Sequence, residues 1–209
     1  MKWPILILLC ATAMWGDSAP RLFYSKSFPG STPAFMQVTL ERDGKGEYKE
    51  APDDELPLKF KLAEDEANVV FTLADKLDHF KNPLESGLKV AFMGKKTFRW
   101  ENGDVKSEQQ FNYSENVDAQ QLLDWFEKIA ESAQLRMILE SSAKYDRLGV
   151  DKALRQIWSA MDRKRLVALD QFLPTLDRIA NNESYMHTAR AKAAELGETI
   201  RKGAPAAAQ

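Results

Sequence analysis

This sequence predicts an α+β fold: an antiparallel sheet of hairpins packed on two helices, followed by an all-helical C-terminal extension. Three observations carry the prediction. Residues 58–80 pass from strict alternation, with Leu58, Phe60 and Leu62 on one side and Lys59 and Lys61 on the other, into a helical period of Ala67, Val70, Leu73, Ala74, Leu77 and Phe80. Asp43-Gly44 and Asn102-Gly103 each lie between alternating runs, and glycine accepts the positive φ that tight hairpins need. From Asp118 onward the apolar residues recur at three- and four-residue steps with few breaks.

In chain order, residues 23–33 read as a polar loop punctuated by Pro29-Gly30 and Pro33. Residues 35–41 and 46–50 form the first hairpin, with Met36, Val38 and Leu40 toward the core. Residues 51–57 are an acidic connection whose two prolines keep it out of a central strand. The helix after it opens on Glu64, Asp65 and Glu66, which favours the positive end of its dipole. Glu66 also stands at the third position of a capping box that Ala63 leaves half complete, and Asn82-Pro83 stops the helix. Residues 88–92, 96–101 and 105–113 read as a second set of strands. Phe111, Tyr113 and Glu115, followed by Leu122, Leu123, Trp125, Phe126 and Ile129, repeat the pattern of residues 60–77. That pattern fits either a duplication or two independent strand-to-helix junctions.

Four helices follow. The first runs from Asp118 to about Tyr145 with Leu122, Phe126, Ile129, Ala133 and Met137 as its stripe, and Gly149 breaks it. The second carries Val150, Leu154, Ile157, Trp158 and Met161 and closes on Arg163-Lys164-Arg165. The third carries Leu169, Phe172, Leu173, Leu176 and Ile179, with Pro174 tolerable only in its first turn. Ser184 is the expected N-cap of the last. The expected organisation is an α+β domain over residues 23–145, a helical extension over 146–202 and a loose tail over 203–209.

The formal charge of −2, from 29 Lys and Arg against 31 Asp and Glu, provides no global field that would gather nucleic acid, and no nucleic-acid partner is expected. The N-terminus has the form of an export signal: Lys2 is the basic start, residues 3–10 are nearly all apolar, and Ala11-Thr12-Ala13 supplies the small residues of a cleavage site. A cut after Ala19 would place Asp17 at the third position back, so residues 1–13 are the expected signal. Its apolar run is short of the roughly 20 residues needed to span a bilayer, so the mature chain is expected to carry no stable membrane span. The sole cysteine, Cys10, lies in this segment behind Leu9, where lipid attachment wants a small residue. A mature chain without cysteine has no disulfide, thiolate nucleophile or Cys-based metal site. A periplasmic or extracellular location follows.

Residues 27–48 contain Gly30, Pro33, Phe35, Asp43, Gly44 and Tyr48, and Gly94 or Gly103 falls in the later hairpin. Over residues 27–129 the chain resembles a group of small exported bacterial domains of unknown function, built as a hairpin with an Asp-Gly turn, a helix, a second hairpin and a helix. The resemblance implies that fold and an exported setting; it implies no activity. The cysteine pair frequent in that group is replaced here by residues near Ser27 and Thr32.

Candidate chemistry is sparse. His79 follows Asp75 by four residues and His187 follows Glu183 by four, but two ligand types at one spacing do not make a metal site, so no metal or cofactor is expected. No Gly-x-Ser-x-Gly elbow, phosphate-binding loop or dinucleotide fingerprint occurs, and no catalytic residue is assigned. Asp53-Asp54-Glu55 lacks the alternation of a calcium loop and reads as a solvated acidic turn. The aromatic residues Phe98, Trp100, Phe111 and Tyr113 are core if they face the helices, and a docking patch if they face outward. Trp158, Met161, Tyr185 and Met186 pose the same alternative among the later helices. Phe98, Trp100, Trp158 and Tyr185 are therefore the candidate partner-binding residues. The reading leans to a non-catalytic module that docks a protein or envelope component, with a hydrolase or other envelope enzyme of unrecognised type as the alternative.

Overall fold

The computed structural model describes residues 19–203; the predicted signal at residues 1–13, with Cys10, and residues 204–209 of the tail lie outside them. The fold is α+β. Six strands form one antiparallel sheet in the order β4-β3-β2-β1-β5-β6: β1 (Arg21–Ser27), β2 (Phe35–Glu41), β3 (Lys45–Lys49), β4 (Leu58–Lys61), β5 (Lys95–Asn102) and β6 (Val105–Phe111). Among the described residues five α-helices complete it: α1 (Glu64–Lys76), α2 (Val117–Tyr145), α3 (Val150–Asp162), α4 (Leu173–Ala180) and α5 (His187–Lys202). Among the described residues no helix is long and apolar enough to cross a membrane.

Register sets what faces the core. Leu22, Tyr24 and Lys26 of β1 stand opposite Leu40, Val38 and Met36 of β2 on one side and Trp100, Phe98 and Lys96 of β5 on the other. This face, covered by α1 and α2, buries Tyr24, Val38, Leu40, Tyr48, Phe98 and Phe126 completely or nearly so. Val70, Ala74, Leu77, Phe60 and Val38 join it in one cluster, as the 58–80 pattern requires. The opposite face is a charged ladder in which Arg99 lies 4.1 Å over Phe23 and pairs with Glu101 and Glu108.

Two sequence expectations change here. Residues 23–33 are not simply a loop: residues 21–27 form β1, a strand paired on both edges, because Leu22 and Tyr24 face inward while Phe23 and Ser25 face out. Residues 88–92 are not a strand. Both edges of β5, the strand they would join in a hairpin, are taken by β1 and β6, and Leu88, Val90 and Phe92 remain exposed. Side chains hold this connection instead: Asn112 accepts from the Met93 amide at 2.7 Å and donates to the Ala91 carbonyl at 3.0 Å.

Several boundaries also sharpen. Glu66 accepts from the Ala63 amide at 3.0 Å, so the carboxylate half of the capping box forms without a side-chain acceptor at Ala63. Helix α1 ends at Lys76, short of Phe80, because Asp78, His79 and Phe80 all take positive φ, 47°, 52° and 65°. Asn116 caps α2 through Ala119 at 3.1 Å. Pro174 falls in the first turn of α4, and α5 begins at His187 after Met186 rather than at Ser184. Helix α2 serves two cores: Ala119 to Ala133 lie in the sheet cluster, while Leu135, Leu139 and Ala143 pack with α3, α4 and α5.

A candidate binding pocket at the end of the sheet

Where β1, β5 and β6 end together, the covered face stops being apolar. Lys26 and Lys96 stand directly opposite each other across the β1–β5 ladder, on the same face as Tyr24 and Phe98. Like charges so placed oppose sheet formation, so two inward lysines in register are a departure from what folding alone favours. They line a cavity of about 230 Å³ together with Phe111, Tyr113, Ala119, Gln120, Leu123 and Glu127. The lining is mostly carbon, with the charged groups of Lys26, Lys96 and Glu127 converging in it.

Lys96 is buried, with 5% of its surface exposed. Its ammonium donates to the Asn112 carbonyl at 2.7 Å and lies 3.5 Å from the carbonyls of Met93 and Gly94. The last two contacts are at the limit of a hydrogen bond, so donor capacity remains. Burial, reinforced by the neighbouring Lys26, holds the Lys96 ammonium below the usual lysine range; Glu127 and Glu85 act in the other direction without reversing this. Lys26 has one long contact, to Glu127 Oε1 at 3.4 Å. Glu127 in turn adds to the effect of burial in pushing the Tyr24 hydroxyl well above its ordinary range, and that hydroxyl has no hydrogen-bond partner among the described residues.

The mouth is held by backbone and amide contacts. Gln120 donates to the Ser114 carbonyl at 2.8 Å and to the Tyr113 hydroxyl at 3.4 Å. Behind it, the Asn112 amide donates to Glu85 Oε2 at 2.6 Å, which keeps the Glu85 carboxyl below the usual carboxylate range. Ser86 donates to the Tyr113 carbonyl at 2.9 Å. These contacts tie residues 85–94 to the end of β6.

The candidate residues from the sequence lie elsewhere. Phe98 and Trp100 are on the covered face, 0% and 6% exposed, with Phe98 among the rings of Tyr24, Phe80, Phe111 and Phe126; they are core, out of a partner's reach. Tyr185 is buried and donates to the Ala143 carbonyl at 2.7 Å, joining α2 to the segment before α5. Trp158 is half-buried and lines a groove between α3 and α5 with Leu154, Arg155, Lys192 and Leu196. The structure does not bring these four together. Of Phe98, Trp100, Phe111 and Tyr113, only Tyr113, two residues past the end of β6, is exposed, and it lies at the mouth of the lysine pocket. His79 accompanies Asp75 at 2.9 Å and stacks on Trp100 at 4.1 Å between centroids, which accounts for it within the helix end. Among the described residues no group of three His, Cys, Asp or Glu is placed to hold a metal ion.

Lys96 was legible in the sequence through parity, because it falls in step with Phe98 and Trp100 and must point where they point. The chain matches no protein-family model and no curated protein.

Proposed function

We propose that this protein is an exported, non-catalytic binding module whose ligand seat is the pocket between the ends of β1, β5 and β6 and the first turns of α2. One observation carries the reading: a largely apolar cavity of about 230 Å³ into which two lysines converge from adjacent strands. Sites for small molecules combine such apolar walls with a few placed polar groups. The basic and apolar character of residues 2–10, with Ala11-Thr12-Ala13 after them, supports export. An envelope component small enough to enter the cavity is the partner that fits this setting.

The test is a ligand-detected NMR fragment screen on the wild-type protein and on Leu123→Trp, which fills the cavity. Hits lost in Leu123→Trp support the reading; a screen with no hits, or hits indifferent to the plug, overturns it. Mass spectrometry of the exported protein is expected to show a chain beginning at Met14, and an uncut chain retained in the cytoplasm would sink the exported setting.

A second reading, an envelope enzyme, rests on Lys96 as a desolvated amine beside a second cation, the arrangement that activates amine nucleophiles. Its ammonium is engaged by backbone carbonyls, which favour the charged, non-nucleophilic form. Borohydride trapping with small aldehydes and ketones separates the two: a covalent adduct on Lys96 favours the enzyme.

A further inference from the structure

We infer that the pocket takes a small organic anion, a carboxylate or a phosphate monoester, with its head between Lys26 and Lys96 and a short apolar chain against Phe111, Ala119 and Leu123. This rests on the pocket being the ligand seat.

The charge balance points to an anion. Lys26 and Lys96 contribute two positive charges to the lining and Glu127 one negative charge. Among the described residues Glu127 makes its contact with Lys26, at 3.4 Å; Lys96 meets backbone carbonyls and no carboxylate directly, so its charge is offset only in part. Glu85, the next carboxylate acting on Lys96, does not line the cavity and is committed to the amides of Asn112 and Ser86. An anionic head placed between the two ammonium groups relieves their mutual repulsion across the ladder and uses the donors that their long contacts leave weakly bound.

The walls point to a chain behind that head. Phe111, Ala119 and Leu123 line the cavity with carbon, a surface that water wets poorly and an inorganic ion cannot use. Size sets the limit. The volume of about 230 Å³ exceeds the roughly 150 Å³ that holds benzene and falls below the roughly 300 Å³ where clefts for drug-sized ligands begin.

The experiment is calorimetric titration of the purified protein with hexanoate, hexyl phosphate, hexanol and hexylamine at two salt concentrations. At least one anion is expected to bind about tenfold or more tightly than the alcohol and the amine, the scale of one charge-assisted hydrogen bond. Whichever anion binds more tightly assigns the head as carboxylate or phosphate, and added salt weakens the anions alone. Lys26→Met, which removes only the contact to Glu127, is expected to erase the preference for anions over hexanol while far-UV circular dichroism and Tm hold. Glu127→Gln is expected to tighten anion binding severalfold by removing the competing carboxylate; a purely structural ion pair would not produce that gain. Hexanol or hexylamine binding as tightly as both anions overturns the inference and leaves the pocket as ligand seat. Absence of binding by all four overturns it too, and the seat itself then falls only if the fragment screen is also empty.

Discussion

Gly46 shows how much one residue can decide. A Cβ placed there would sit 2.2 Å from the Phe60 ring and 2.6 Å from the Thr39 carbonyl, so the bare glycine is what lets Phe60 lie flat across the β3–β4 pair. Gly46→Ala is expected to destabilise the protein by about 1–3 kcal/mol, the usual cost of overpacking, read from the urea midpoint. Phe60 was visible in advance as an inward residue, from its alternation with Lys59 and Lys61. The requirement for glycine opposite it was not, because that depends on which residue of β3 the register sets beside it. The pocket lysines divide the same way. Lys96 could be placed on the same face as Phe98 and Trp100 by counting, whereas Lys26 was hidden in a segment that reads as a loop.

At the scale of elements, the exposed edge at β4 is closed by side chains from the helical half. Arg136 on α2 donates to the Lys59 carbonyl at 2.6 Å and to the Gln171 side chain, and Gln171 donates to the Lys61 carbonyl at 2.6 Å. Glu66 adds a second tie, accepting from the Ala63 amide and, at 3.3 Å, from the Ala168 amide. An open strand edge invites pairing with other chains, and these contacts cap its outward carbonyls. Arg136→Met keeps the apolar stem but leaves the Lys59 carbonyl and Gln171 unmet. It is expected to cost about 1–3 kcal/mol and to speed amide exchange along the β3–β4 ladder before the rest of the sheet. Unchanged exchange there would show that the latch contributes nothing to the edge. Helical periodicity made α2 legible from Asp118 onward, but a stripe cannot say where one core stops and the next begins; α2 makes that change between Ala133 and Leu135.

For the whole molecule, the alkaline limit of stability belongs to tyrosines in the sheet core. Burial raises the Tyr24 and Tyr48 hydroxyls above their ordinary range, with Glu127 and Glu50 adding to it. Above about pH 10 the unfolded chain releases these protons while the folded chain keeps them, so their contribution is full below that pH and is lost as pH rises. Lys96, held below the lysine range, has the opposite sign and gains stability just below about pH 10.4, which offsets part of the fall. Two buried hydroxyls outweigh one lysine, and the net expectation is a loss of unfolding free energy above about pH 10 in urea titrations. Tyr24→Phe is expected to flatten that loss. At neutral pH it should not destabilise the protein and is expected to gain about 1 kcal/mol, because it removes a buried hydroxyl that has no partner among the described residues.

Local chemistry in the chain was enough for the hairpin turns at Gly44 and Gly103, the inward faces of β2 and β4, the shared face of Phe98 and Trp100 in β5, and the helical character of the second half, since each depends on neighbours within a few residues. Strand β1, the failure of residues 88–92 to pair, and the meeting of Lys26 with Lys96 depend on the β4-β3-β2-β1-β5-β6 order. No periodicity encodes that order. Only once β1 is inserted between β2 and β5 does it fill the ladder that residues 88–92 would need. The same insertion brings two lysines, 70 positions apart in the chain, face to face.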